Sequence, residues 1–174
     1  LAVLKLDQPT DKRIALPLEI PAQDLVGSNV YAVGYPSVAD NAVNALASFR
    51  TEDATVTTGS VSRLLTESGT GRRVLQLDVS IQGGNSGGPL VTEDGTVVGI
   101  NTFGVTITSY DQSGQVTSAD SMKYALNVEE LIPLLDKNGV PYQLGKNSFP
   151  LLAVILGVVV VAVIVAAAVL VGRS

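Results

Sequence analysis

Short apolar runs alternate with turn-forming residues over most of the chain. The runs are rich in Val, Leu, Ile and Thr, and Gly, Pro, Asn or Asp bound them. Short strands separated by such turn residues are typical of an all-β barrel or sandwich rather than of βαβ units. The pattern predicts strands at residues 1–6, 29–33, 55–65, 74–79, 89–91, 97–103 and 123–126.

One helix is predicted near the end of this region. Asn127 is a suitable N-cap, and Glu129 and Glu130 would lie in the first turn. Asn138 followed by glycine would end the helix. Because Pro133 falls inside the pattern, we expect a kink or a break there.

Two connections between predicted strands are unusually long, residues 36–54 and residues 103–122. Long connections in compact domains are often functional or mobile. A tolerated surface insertion is the alternative for each of them.

The end of the chain has a different pattern. No charged residue occurs between positions 149 and 171, and a helix of that length spans the roughly 30 Å hydrocarbon core of a bilayer. Only a helix satisfies its own backbone polar groups there. The sequence therefore predicts a tether at residues 140–148, a transmembrane helix at residues 149–171 with the lipid bilayer as partner, and the start of a cytoplasmic flank at residues 172–174.

The amino-acid composition excludes several kinds of functional site. The chain has 174 residues, a net charge of −5, no Cys and no His. The lack of Cys excludes disulfide scaffolds and cysteine nucleophiles, and the lack of His removes the commonest general base and metal ligand. An acidic chain also lacks the basic surface that binding to nucleic acid requires. We therefore expect no metal, no cofactor and no nucleic-acid partner.

One loop carries a candidate nucleophile. Residues 83–90 read GGNSGGPL, so that glycines flank Ser86 closely on both sides while apolar strands bracket the loop. A serine nucleophile needs an exposed hydroxyl and backbone N–H groups that stabilise a developing oxyanion, and glycines permit the required backbone shape. A structural turn or an anion-binding nest is the alternative.

The motif GNSGGPL resembles the nucleophile motif of trypsin-like serine peptidases of the bacterial HtrA/Deg type. Further segments resemble that family in the same order along residues 1–137, namely LAVLKLD, YAVGYP, TVTTGSVS, LDVSIQGGNSGG, GINT and YALN. The resemblance implies that residues 1–139 form a partial peptidase domain. This part would be mainly the C-terminal six-stranded Greek-key barrel of a two-barrel fold, followed by a short closing helix. The missing N-terminal barrel of the same chain would be its partner.

The resemblance also implies roles for individual residues. Ser86 would be the catalytic nucleophile, and the N–H groups of Gly84 and Ser86 would form the oxyanion hole. Asp78 would be a structural support. Polypeptide substrates would bind along two segments, which consist of Ser80, Ile81, Gln82 and Gly83 and of Thr102, Phe103 and Gly104. Because Ser80 and Ile81 are uncharged, we expect the primary pocket to accept a small or medium apolar side chain.

The chain departs from the family in one respect. A triad needs a base and an orienting carboxylate, yet the sequence has no His. The resemblance would place the catalytic Asp directly before Leu1 and the His further upstream. We therefore expect a fragment, inactive by itself, of a membrane-anchored serine endopeptidase whose barrel lies outside the cytoplasm. A catalytically inactive, membrane-tethered binding module is the alternative, and activation of the serine by Lys123 is a further one.

Overall fold

Six strands form a closed antiparallel barrel in the computed structural model, which describes residues 1–8, 10–36 and 51–145. The strands are β1 (Asn29–Gly34), β2 (Thr55–Thr66), β3 (Arg73–Leu77), β4 (Pro89–Thr92), β5 (Val97–Tyr110) and β6 (Val116–Asn127). Around the barrel their order is β1-β2-β3-β6-β5-β4. Because β1, β2 and β3 are successive neighbours and β4 returns to pair with β1, the connection is a Greek key. The predicted six-stranded barrel is confirmed.

The barrel encloses an apolar core to which every strand contributes. In β1, for example, Val30 and Ala32 are fully buried while their neighbours are more exposed, as the two-residue period of a strand requires. Val79 and Ile81, which follow β3, also belong to this core. The segment that leads into the glycine-rich loop is therefore held by apolar contacts. The buried cluster consists of Val30, Ala32, Val61, Leu75, Leu77, Val79, Ile81, Leu90, Val98 and Ala125.

The strand predicted at residues 1–6 is absent. Residues 1–6 have no strand partner among the described residues, and Leu4 is 89% exposed. Backbone N–H and C=O groups form a strand only when a neighbouring chain pairs with them, so apolar alternation alone was insufficient.

The loop predicted at residues 103–122 is instead a long hairpin arm. β5 and β6 pair from Gly99 and Asn127 at the barrel as far as Tyr110 and Val116. The arm is polar, and Val105 and Val116 are exposed, so that it lacks the apolar pattern of a strand that faces the core. Its Thr and Val residues nevertheless favour extended backbone, and interactions between the paired strands stabilise the arm further. The other long connection lies largely outside the described residues.

The closing helix begins and breaks as predicted. The Asn127 side chain accepts a hydrogen bond from the Glu129 N–H at 2.8 Å and so caps a short 3-10 turn, Val128–Glu130. Helix α1 (Ile132–Lys137) follows after an interruption, with Pro133 in its first turn. Proline at that position removes no helical hydrogen bond.

The first residues after the helix lie against the barrel. Leu18 donates its N–H to Gln143 O at 2.8 Å, and Gly145 donates to Leu18 O at 2.7 Å. Residues 140–145 of the predicted tether are thus bonded to the folded domain. The predicted span at residues 149–171 and the flank at residues 172–174 lie outside the described residues. Within the ranges that the structure describes, no helix is both long and apolar enough to cross a membrane.

The tip of the hairpin arm yields a prediction on pH. Oδ1 of Asp111 accepts from the Ser113 hydroxyl at 2.6 Å and from the Gln115 N–H at 2.9 Å, and these bonds lower the pKa of the Asp111 carboxyl. A lowered pKa in the folded state stabilises the tip above the ordinary value of about 3.9, and this stabilisation is lost as pH falls through the folded value.

An NMR titration of the whole chain, followed at the Gln115 amide proton, should show a midpoint below about 3.9. Asp111→Ala should abolish that transition, whereas Asp94→Ala, at a separate exposed turn, should leave it unchanged. A midpoint at or above the ordinary value would contradict the prediction.

Candidate active site

Two consecutive turns place Ser86 at the surface. Asn85 donates its N–H to Gln82 O, and Gly88 donates to Asn85 O, each at 3.0 Å. The loop is also bonded to β5, because Gly87 donates to Asn101 O at 2.8 Å and Asn101 N–H donates to Gly88 O at 2.9 Å. Ser86 lies exposed between these bonded positions. Its place is therefore determined by backbone contacts on both sides.

The loop passes so close to β1 that two of its residues must be glycine. A Cβ on Gly84 would lie 1.9 Å from Tyr35 O, and a Cβ on Gly88 would lie 2.2 Å from Val33 O. Gly84 also has a φ of +108°, which residues with a side chain rarely adopt. Glycine is therefore required at these two positions because a side chain would collide with β1 or the residue after it, and not only because glycine is flexible.

The side chain of Asn85 is buried beneath the loop, next to Gly34 of β1. It is 1% exposed, and a Cβ on Gly34 would lie 2.5 Å from its Oδ1 atom. Gly34 therefore provides the space that the Asn85 side chain occupies. Oδ1 accepts no hydrogen bond from the described residues. This pairing was not predicted from the sequence, although YAVGYP contains the glycine concerned.

The Ser86 hydroxyl and the nearby backbone differ in their bonding. Ser86 Oγ donates to Thr102 O at 2.9 Å. For the N–H groups of Gly84 and Ser86, the described part of the chain offers no acceptor. Both groups therefore remain able to donate to an oxygen of a bound molecule.

Asp78 supports the strand that leads to the loop. Its carboxylate accepts from the Ser60 N–H and, at 3.1 Å, from the Ser60 hydroxyl. A side chain on Gly59 would collide with Asp78 and Val79, so β2 and this segment are in close contact. These bonds support the structural role that the sequence analysis expected for Asp78.

An open pocket of about 500 Å³ adjoins Ser86. Among the predicted substrate-binding residues, Ser80 does not line it, and its carbonyl instead accepts from the Thr57 hydroxyl at 2.7 Å. Phe103 lies on β5, but its side chain is outside the described structure. The pocket is lined by Ile81, Gln82, Gly83, Ser86, Thr102, Gly104 and Lys123.

Lys123 is the lining residue to which the sequence analysis gave no binding role. It lies on β6 opposite Gly104 of β5. Its position directly before YALN marked it as part of a strand, but nothing local to the sequence relates that strand to Ser86. Among the described residues, no cluster of three or more His, Cys, Asp or Glu is arranged to hold a metal ion.

Several known proteins are similar to this chain in sequence. The family model for the trypsin-like peptidase domain matches residues 1–100. The chain is 32% identical over 160 residues to protease Do-like 1, chloroplastic, of Arabidopsis thaliana, covering 88% of this chain and 31% of that protein. It is 31% identical over 161 residues to the serine protease Do-like HtrB of Bacillus subtilis, covering 88% of this chain and 30% of that protein.

Among solved structures, the serine endoprotease from Yersinia pestis is similar with 26% identity and a TM-score of 0.43, over 70% of this chain and 34% of that one. The chain spans about a third of the length of the curated relatives named above. With the family model matched over more than half of its residues, the chain belongs to the trypsin-like peptidase domain family.

Proposed function

We propose that this chain is the nucleophile-bearing part of a serine endopeptidase that cleaves polypeptides. The observation that carries the proposal is an exposed Ser86 in a hydrogen-bonded glycine loop, next to N–H groups of Gly84 and Ser86 that have no acceptor in the described structure. These are the parts that acyl transfer needs from this side of a site.

The reaction follows from these groups. Ser86 Oγ attacks the carbonyl carbon of the peptide bond while its proton passes to a general base. The carbonyl oxygen becomes negative, and the N–H groups of Gly84 and Ser86 stabilise it. The C–N bond then breaks as the base returns the proton to the leaving amine. A water molecule, deprotonated by the same base, releases the acyl group and restores the serine hydroxyl.

The base must come from outside these residues. The chain has no His, and the Ser86 hydroxyl donates to a backbone carbonyl instead. We place the His and Asp of a triad in an N-terminal barrel of a longer protein, consistent with the share of the relatives that this chain spans. The exposed apolar side chains of Leu1, Leu4, Leu6 and Ile14 would suit contact with such a barrel.

A catalytically inactive binding module is the second candidate. The missing His and the engagement of the Ser86 hydroxyl by Thr102 O favour it. Such a module would retain the pocket and the strand edge at Thr102 and Gly104, where an extended peptide could pair by strand addition.

We further propose that residues 149–171 anchor the protein in a membrane as a single span, with the peptidase domain on the extracytoplasmic side. The support is the uncharged apolar run in the sequence. The side of the membrane is inferred from the family and not from the flanking charges, because Lys146 and Arg173 place one basic residue on each side.

The nucleophile can be tested with a fluorophosphonate probe, which forms a covalent bond with activated serines. The longer parent protein should be labelled, and Ser86→Ala should remove the label. Ser62→Ala, which alters an exposed serine of β2, should not. The 174-residue chain alone should react far more slowly, because it has no His to act as base. A parent that binds peptides but is not labelled would favour the inactive module.

The glycine loop can be tested in the same protein. Gly84→Ala introduces a Cβ 1.9 Å from Tyr35 O and should displace one oxyanion donor. Loss of one such donor lowers the rate of acyl transfer by about 10²–10³-fold. Gly69→Ala is the matched control, since a Cβ there meets no atom within 4 Å. Equal labelling rates for the two variants would argue against this role of the loop.

The membrane span can be tested by carbonate extraction of cell membranes. The full chain should remain in the membrane pellet, and a chain ending at residue 148 should be released. A double variant with Val160→Asp and Ile164→Asp should also be released, since each aspartate at the centre of a span opposes insertion by roughly 3 kcal/mol. Retention of the shortened chain in the pellet would contradict the proposed span.

A further inference from the structure

One residue that lines the pocket beside Ser86, Lys123, has a positively charged side chain. The other described residues of the pocket lining are uncharged, so that Lys123 supplies the formal charge of this described part. Lysine carries an ammonium group with three N–H donors and no acceptor. This pocket is therefore unlike the uncharged one that Ser80 and Ile81 suggested in the sequence.

Gly104 explains why the ammonium lies there. Gly104 and Lys123 are direct partners across β5 and β6, so that their side-chain positions are adjacent on the sheet. A Cβ on Gly104 would lie 3.0 Å from both Cδ and Nζ of Lys123. Because glycine has no side chain, the lysine extends across the strand edge that borders the pocket.

Among the residues that the structure describes, the ammonium of Lys123 has no carboxylate partner. No acidic residue is among the described residues that line the pocket, and none of the described Asp and Glu residues forms an ion pair with Lys123. A peptide lying over the pocket would remove water from the ammonium, and burial of an unpaired charge is unfavourable. The pocket therefore favours an occupant that brings a negative charge.

Long-range electrostatics does not oppose this preference. The chain has a net charge of −5, but salt at physiological concentration screens exposed charges beyond about 8 Å. The charge closest to the occupant then decides. The hydrogen bond of Ser86 also argues against Lys123 as its general base, because the serine hydroxyl donates to Thr102 O and not to the lysine amine.

We propose that Lys123 is a specificity-determining residue that selects an acidic side chain, Asp or Glu, on the residue that precedes the scissile bond. The position follows from the location of the pocket, because the side chain closest to Ser86 during attack belongs to the residue that becomes the acyl group. The assignment to cleavage rests on the proposed peptidase function, whereas the carboxylate preference of the pocket does not.

The experiment uses the longer parent protein and peptides that are capped at both ends, so that the side chain is their only carboxylate. The peptides form matched sets that carry Glu, Gln, Leu or Lys at one position, and the remaining positions are randomised among uncharged residues. Cleavage is measured with the wild type, and binding is measured by fluorescence anisotropy with Ser86→Ala. Glu and Gln differ in charge but hardly in shape, so their ratio isolates the ion pair.

We expect the Glu peptides to be cleaved and bound about tenfold or more better than the Gln peptides, the range given by hydrogen bonds to charged groups. Lys123→Met keeps the aliphatic stem and should bring the ratio close to one, and Lys123→Arg should retain part of it. Lys137→Met, at the exposed end of α1, is the control and should change nothing. Circular dichroism of each variant verifies the fold.

The outcomes separate the two proposals. A Glu preference in binding without cleavage would support the pocket and overturn the peptidase function. Cleavage with no Glu preference, or equal or absent binding of Glu and Gln peptides, would overturn the role of Lys123. If Lys123→Met abolished probe labelling and cleavage of every peptide while the fold remained intact, Lys123 would act on Ser86 itself, and the specificity proposal would be wrong.

Discussion

The close approach of the glycine loop to the end of β1 is the constraint on which the site depends. Backbone atoms of the loop lie so near Tyr35 O and Val33 O that Gly84 and Gly88 have no room for a Cβ. This contact presses the loop against the barrel and leaves Ser86 exposed on its outer side. Glycine is therefore required here because the loop packs closely against the barrel, and not because the loop must be flexible. The same packing gives the serine a defined position.

Glycine, which has no side chain, has a different effect at each of two positions near Ser86. At Gly84 the positive φ and the crowded backbone both require glycine, so the residue shapes the main chain. At Gly104 the absent side chain leaves space that a neighbouring strand fills with Lys123. The first glycine bears on how the backbone can stabilise charge, and the second bears on which charge the pocket presents. Both effects depend on contacts between segments that are distant in the chain.

Local patterns in the sequence predicted the barrel strands well. Residues that face the core must be apolar at every second position, and this requirement is visible in segments such as β1. The arm formed by residues 103–122 was missed because it leaves the core, and its exposed Val105 and Val116 give no such pattern. Residues 1–6 have the pattern but no partner among the described residues, so they form no strand. Periodicity reports the face of a strand but not its partner.

The sequence by itself determined the loop around Ser86, the lack of His and the apolar run at residues 149–171, because each is a property of neighbouring residues or of composition. Only the tertiary structure decided that Lys123 shares a pocket with Ser86. The two residues are distant in the chain. The register between β5 and β6 places Lys123 opposite Gly104, and hydrogen bonds from the loop to β5 place Ser86 near that position. Register results from hydrogen bonding and packing across the whole barrel, which no local pattern records.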